Sequence, residues 1–258
     1  MSDIITLIIL TIFANSTLWS LIGITLKNTS MVDIAWAIGP MLCCWILYMS
    51  DPGQVFTLIF TLMISIWALR LAMFLWLTRI RHQHQDPRYS EIESKWTGNI
   101  ALKTIRHYYM QALFLCGICS CLIPVFMTPL APITWAQILA IGLFLMAIIG
   151  ETIADWQLYQ FKQSKQKGLL STGLWSRSRH PNYFFEWLVW ISLALYSLQS
   201  PQAIIAWLSP LLLWVIFNKM TGPYTEKLSI KRHGQLFKKY QDTVPFFIPS
   251  FKSIKRSR

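Results

Sequence analysis

The stretch GLLSTGLWSRSRHPNYFFEW, Gly168–Trp187, turns from polar to apolar at a proline. A proline at a first helical position wastes no backbone donor, because that N–H has no partner within the helix in any case. Pro181 therefore marks a helix start, and Asn182 onward reads as a helix whose first turn lies beside Arg177, Arg179 and His180. Such a turn combines unpaired N–H groups, the positive end of the helix dipole and two guanidinium groups. Together these favour an anionic ligand.

The chain on either side of this stretch is built for lipid. Of its 258 residues 54% are hydrophobic and only 13% charged, far fewer charges than a soluble domain carries. Seven apolar segments, at about 4–26, 31–49, 54–77, 107–127, 133–155, 183–199 and 201–218, approach the roughly 20 residues that cross a hydrocarbon core. The sequence thus predicts an all-α integral membrane protein: a seven-helix bundle of one domain over 1–258, with a tail from 219. The first apolar segment lacks a basic flank and a small-residue cleavage site, so it is expected to be the first span and not a removed leader.

The formal charge of +12 raises nucleic acid as a partner, but the placement of the 23 Lys and Arg argues against it. Six lie between positions 78 and 106, five between 161 and 181 and ten after 218, whereas the loops near 50–54, 128–132 and 199–202 have none. Alternate loops are basic, which is the positive-inside pattern of a chain with its N-terminus outside and its C-terminus in the cytoplasm. The excess charge describes topology, and no nucleic-acid partner is expected.

Polar residues inside the spans are few. Asp33 falls about one turn inside the second segment, where a carboxylate is costly and points to a functional group or a solvated interface. Arg70 sits inside the third, either snorkelling to the interface or paired with an acid. The fifth segment passes without a break into ETIADWQLYQFKQSK, where Asp155 and Lys162 share a face, and Glu186 lies one turn beyond Asn182 in the sixth. His82 and His84 have no carboxylate or cysteine at metal spacing, and no metal site is expected. Cys43, Cys44, Cys116, Cys119 and Cys121 all fall inside apolar segments and read as small core residues. Leu228, Leu236, Phe237 and Tyr240 suggest an amphipathic tail helix, and the last seven residues a basic tail near anionic lipid.

Several motifs in order along almost the whole chain resemble the steroid 5α-reductase family, in particular its bacterial membrane members. They are V-D-I-A-W at 32–36, W-A-L-R-L at 67–71, A-D-W-Q at 154–157 and G-L-W-x-x-S-R-H-P-N-Y-F-x-E at 173–186. Glu226, Gly234, Phe237 and Tyr240 follow, with Phe247-Ile248-Pro249 at the close. The resemblance implies NADPH-dependent reduction of the C4–C5 double bond of a 3-oxo-Δ4-steroid or similar lipid enone. The substrate would enter from the bilayer of a bacterial inner membrane, the cofactor from the cytoplasm, with no obligate protein partner. Hydride adds to the β-carbon, and negative charge on the carbonyl oxygen must meet donors in a dry pocket.

By the same resemblance Asp33, with Glu186 as its neighbour, supplies the acid, which donates only when protonated. Trp67 stands near the position of the family's carbonyl-binding tyrosine, with Tyr109 and Tyr183 as replacements. The cofactor is implied to lie among Asp155, Lys162, Arg177, Arg179, His180, Asn182, Tyr183, Glu226, Ser229 and His233. By charge type, Lys162 and Arg179 suit phosphates, Asp155 ribose hydroxyls or the adenine amine, and Asn182 the nicotinamide carboxamide. There is no strand followed by G-x-G-x-x-G that would hold a dinucleotide in another way.

Two departures stand out: Phe185 where the family has glycine, and Arg177 where it has tyrosine. The R-H-P-x-Y core is also shared by isoprenylcysteine and phospholipid methyltransferases, which use S-adenosylmethionine, and by sterol C14 reductases. Asp33, Trp67 and Arg70 favour a reductase. A methyltransferase is the alternative, and a non-catalytic lipid-binding or transport bundle the third reading.

Overall fold

A computed structural model describes residues 1–81, 85–164 and 168–250. His82, His84 and the basic last seven residues lie outside them. Among the described residues every regular element is helical. The backbone of a chain in lipid must satisfy its own hydrogen bonds, and a helix does so within one segment.

Among the described residues six helical runs are long and apolar enough to cross a membrane: Ser2–Thr25, Thr29–Ser50, Val55–Ile80, Ile100–Met127, Trp135–Gln163 and Ala203–His233. By length and composition the chain is a multi-pass membrane protein. The expected segment at 183–199 is not among the six. Its helix, α8 in the order below, covers Pro181–Tyr196, 16 residues ending in a short 3-10 turn before Ser200 and Pro201. At 1.5 Å per residue this is about 24 Å, short of the roughly 30 Å hydrocarbon thickness. The final run does not stop at 218 as expected. It continues through a wider π turn to His233, so the tail begins as helix.

In chain order the helices are α1 (Ser2–Thr25), α2 (Val32–Ser50), α3 (Val55–Leu75), α4 (Pro87–Glu93), α5 (Ile100–Ile118) and α6 (Leu122–Met127). Then come α7 (Trp135–Gln163), α8 (Pro181–Tyr196), α9 (Leu208–Val215), α10 (Gly222–His233) and α11 (Gln235–Thr243). Local chemistry sets several of their ends. Asp86 caps α4, its side chain accepting from the Arg88 N–H with Pro87 in the first position, and Asn99 caps α5 by accepting from the Leu102 N–H.

The chain divides into two compact units, Met1–Ile141 with Leu193–Leu212, and Gly142–Ser192 with Leu213–Arg258. In the first, α1 packs on α2 and α5, and α2 on α3. Its core holds Ile12, Ala37, Phe60, Ile64, Trp67 and Leu115, all fully buried or nearly so. The five cysteines are free thiols, four of them buried there as expected and Cys116 half-buried. Leu10, Leu18, Leu62, Leu69 and Leu113 are exposed on the long helices, as suits a lipid solvent.

In the second unit α7 meets α8 at Gly150. A Cβ there would lie inside contact distance of three atoms of the Phe185 ring. The bulk at 185, where the resembling family has glycine, is thus accommodated by a glycine on the facing helix. A mid-helix Gly→Ala change is ordinarily worth up to about 1 kcal/mol in favour of the helix. Here Gly150→Ala is expected to destabilise by about 1–3 kcal/mol through overpacking, and to cost little when introduced into a Phe185→Gly background, where the ring it would strike is gone. Thermal unfolding of the two single variants and the double one checks this, and a stabilising Gly150→Ala would refute the contact.

Candidate functional site

The segment before α8 is held by the end of the chain. Ser178 Oγ accepts from the His180 N–H at 3.1 Å and donates to the Phe247 carbonyl at 2.7 Å. The Arg179 N–H donates to Pro245 O and the Ser250 N–H to Arg177 O, both at 2.9 Å. The Tyr240 hydroxyl reaches back to the Trp175 carbonyl. Aromatic packing reinforces the clamp: the His180 ring stacks on Tyr183 at 5.0 Å, Tyr183 stacks on Phe217 at 4.7 Å, and Phe246 lies 4.8 Å from His180.

At the centre is an ion pair between Arg179 and Glu226, whose side chains are only 11% and 10% exposed. Arg179 Nε donates to Glu226 Oε1 at 2.6 Å and Nη2 to Oε2 at 3.4 Å, while Nη1 donates to the carbonyls of Gln241 at 3.0 Å and Val244 at 2.6 Å. Gln241 Nε2 adds a 2.6 Å bond to Glu226 Oε2. A guanidinium has five N–H donors, and four of these are spent inside the protein. Arg179 is thereby a structural clasp. His180 Nε2 lies 3.2 Å from Glu226 Oε1, which favours the tautomer with its proton on Nε2. Burial pushes this imidazole below its ordinary value, against the opposing pull of Glu226, so it is neutral at physiological pH.

The first turn of α8 faces α7. Asn182 Nδ2 donates to Asp155 Oδ1 at 3.4 Å. That acceptor fixes which way the amide points, and Asn182 Oδ1 is left buried with no hydrogen-bond partner among the described residues. One turn on, Glu186 Oε1 accepts from the Trp190 indole at 2.9 Å. On α7, Ala154 O accepts from Trp175 Nε1 at 3.0 Å and Gln157 Oε1 from the Leu174 N–H at 3.0 Å. Gly173, at φ +60°, lets the Gln157 amide close over it where a Cβ would collide. Lys162 is exposed two turns beyond Asp155, and Arg177 and His233 are half-buried. The Ser229 hydroxyl is bonded to its own helix through Thr225 O at 3.0 Å. The structure therefore brings Arg179, His180, Tyr183 and Glu226 into one cluster, and Asp155, Asn182 and Glu186 onto the α7 and α8 faces.

Asp33 and Trp67 belong to the first unit. Trp67 is buried in mid-α3. Asp33 Oδ2 accepts from Arg79 Nη1 at 2.5 Å and Arg88 Nη2 at 3.3 Å, and Oδ1 accepts from the Tyr89 hydroxyl at 2.5 Å. Asp86 closes the ring, accepting from Arg88 Nε at 3.0 Å and lying 3.1 Å from Arg79 Nη2. Burial pushes the Asp86 carboxyl up, but the charges of Arg88 and Arg79 and the bonds from Arg88 outweigh it and hold the group well below the usual carboxylate range. Two guanidinium groups and a phenol converge on Asp33 as an acceptor. Asp33 thus anchors an ion cluster in the first unit. No sequence spacing signals that Arg79, Asp86, Arg88 and Tyr89 gather on Asp33, since Asp-Pro-Arg-Tyr by itself reads as a local turn.

A family model described as "Protein of unknown function (DUF1295)" matches residues 18–244, well over half the chain. The chain is also similar to "Uncharacterized protein C594.04c" of Schizosaccharomyces pombe, 25% identical over 285 residues, spanning 94% of this chain and 78% of that protein. The clamped Arg-His-Pro-Asn turn, the α7–α8 polar faces and the tail that closes on them all fall within the matched region or at its edge, and the chain belongs to DUF1295, a family of the steroid 5α-reductase-like superfamily.

Proposed function

We propose that the chain is an NADPH-dependent membrane reductase of a lipid enone, a 3-oxo-Δ4-steroid or a molecule of similar shape, with its cofactor face in the cytoplasm. The observation that carries this reading is Asn182, whose amide nitrogen is held by Asp155 while its buried oxygen has no hydrogen-bond partner among the described residues. A buried amide oxygen without a donor costs about 1–3 kcal/mol. The carboxamide N–H of a nicotinamide is a donor of the right kind, so the residues present fit the cofactor. Asn182 and Asp155 would hold its nicotinamide end, and Lys162 and Arg177 its phosphates. Arg179 supports the turn from behind through Glu226.

Bound NADPH supplies a hydride. The chain's own part is to exclude water and orient a proton source beside the substrate. Phe184, Phe185 and Trp187 line the apolar side of α8's first turns, with Phe247 packed on Phe184 and Trp187. The Trp190 indole fixes the Glu186 carboxyl one turn below Asn182. The basic loops at 78–106 and 161–181 support a cytoplasmic C-terminus, with the α8 segment completing a seventh, shorter crossing.

Purified protein in lipid nanodiscs tests the reading. NADPH at about 100 times its Kd is expected to stabilise the fold by about 2.7 kcal/mol, Asn182→Ala to remove that shift, and progesterone with NADPH to yield the 5α-dihydro product. A shift with S-adenosylmethionine in place of NADPH, accompanied by methylation of a lipid, would overturn it in favour of a methyltransferase.

A further inference from the structure

The Phe185 ring of α8 rests against Gly150 of α7, where a Cβ would fall inside contact distance of three ring atoms. Asn182 meets Asp155 three residues earlier, so the two helices face each other over this turn and the ring closes the groove between them. The neighbouring aromatic residues leave no slot beside it. Phe184 lies edge-on to Phe185 at 5.3 Å between ring centroids, and Phe247 lies 5.9 Å from Phe184 and 5.6 Å from Trp187. A flat molecule held between two rings needs about twice the 3.5–4.0 Å contact distance of carbon atoms, and these rings already touch one another. The wall they form is nonetheless open on its outer side. Residues 182–188 are all half-buried, whereas Val189 and Trp190 beyond them are buried. Seven residues pass nearly twice round a helix, so no face of these first turns is sealed.

On the reductase reading, the hydride leaves the nicotinamide carbon next to the one that carries the carboxamide, a short step from Asn182. The carbon that accepts it comes within about 3–3.5 Å of the donor. Phe185 follows Asn182 by three residues, about 4.5 Å along the axis and about 60° round it. Its ring therefore stands beside the accepting carbon, and Gly150 behind it leaves no room to withdraw toward α7.

We infer that Phe185 selects the substrate by the substitution of its β-carbon, favouring an unbranched lipid enone, with one hydrogen and one chain there, over a fused-ring enone. This selection rests on the reductase reading and narrows its substrate class. In a 3-oxo-Δ4-steroid the β-carbon is a ring junction with two carbon branches besides the α-carbon, and the second branch meets the Phe185 ring. A single alkyl chain turns away along the aromatic wall and buries its methylenes against it. With either substrate the β-carbon takes a hydride from NADPH, which is oxidised to NADP+. The α-carbon takes a proton that comes ultimately from water, and the C–C double bond becomes single.

Wild type, Phe185→Gly, Phe185→Leu and Gly150→Ala are compared in nanodiscs, with NADPH and with a long-chain unbranched trans-alk-3-en-2-one and progesterone as competing substrates. Wild type is expected to favour the alkyl enone by at least about 10-fold in kcat/KM, the low end of what one pocket group discriminates. Phe185→Gly should cut that preference about 10- to 200-fold, enough to reverse it, and Phe185→Leu should move it part of the way. Gly150→Ala drives the ring outward and should raise the preference. A merely structural loss would slow both substrates together and leave their ratio unchanged, so opposite shifts from two destabilising changes distinguish selection from folding. Should Phe185→Gly fail to fold, Phe185→Leu and Gly150→Ala still read the ratio.

A wild type that favours progesterone, or a ratio unmoved by Phe185→Leu and Gly150→Ala, overturns the selection by Phe185 while NADPH binding and turnover stand. Failure of the wild type to bind NADPH or to reduce either enone overturns the reductase reading and this selection with it.

Discussion

Glu226→Ala is expected to cost about 3–5 kcal/mol, because it strands a buried guanidinium. Arg179 and Glu226 are each about nine-tenths buried, so solvent cannot stand in for the lost carboxylate. The same change removes the acceptor of His180 Nε2 and Gln241 Nε2. Domains of ordinary stability have about 5–15 kcal/mol to lose, so the variant lies near the edge of folding. The loss should be local in its first appearance: residues 244–250, tied to the turn through Arg179, Ser178 and Arg177, should become open to protease before the rest of the unit melts. Lys227→Ala, an exposed neighbour on the same helix, is the control and should lie within about 0.5 kcal/mol of wild type. The double change Arg179→Met with Glu226→Leu should be less harmful than either single truncation, since a hydrophobic pair of similar volume leaves no buried charge. Thermal unfolding and limited proteolysis read both quantities. If Glu226→Ala unfolds like wild type, the Arg179–Glu226 pair is not what clasps the turn.

The helices were legible in the sequence because lipid leaves a backbone little choice. A run such as ILAIGLFLMAIIG must be helical if it crosses a membrane, and Pro181 announced its helix because a missing N–H is tolerated only at such a start. The crossing count was less legible. Hydropathy treats 183–199 as one more apolar segment, whereas Ser200 and Pro201 stop its helix at a length that composition does not reveal.

The charge pairs were the least legible part. Arg177 and Arg179 read alike as basic residues beside a helix start, yet one is half-buried at the surface and the other is the centre of a clasp whose acid lies 47 residues away. The Asp86-Pro87-Arg88-Tyr89 turn shows the same split. Taken alone it reads as a turn, whereas in the structure Asp86 caps a helix with Pro87 in its first position. Its larger task, presenting Arg88 and Tyr89 to Asp33, depends on an apposition 55 and 56 residues apart in the chain that no periodicity encodes. Phe185 is a third example. Read alone it narrows a site, and read with Gly150 it is one half of a matched contact.

The anchoring role of Asp33 makes a prediction opposite in kind to that of a reacting acid. Asp33→Ala is expected to destabilise by about 2–3 kcal/mol, less than a fully buried pair would cost, because Asp33, Arg79 and Arg88 are about a fifth to a quarter exposed and Asp86 remains as a counter-charge. Part of the loss is the Tyr89 phenol, buried and deprived of its acceptor.

The pH dependence follows from Asp86. Its carboxyl is held below the ordinary value of 3.8 in the folded protein, so the unfolded chain takes up a proton first as pH falls. More protons bound in the unfolded state means that stability is full above that value and is lost below it. The acid limb should survive in Asp33→Ala, because Asp86 keeps both arginines, and should shrink in Asp86→Asn. At the other extreme, burial foremost and the Asp33 charge next push the Tyr89 hydroxyl well above its ordinary value. The unfolded chain then releases that proton first, and stability falls as pH rises past about 10. Unfolding midpoints across pH decide the matter. A variant Asp33→Ala as stable as wild type but without turnover would return Asp33 to the reacting groups, whereas a destabilised variant that still binds NADPH leaves it the keystone of the first unit's ion cluster.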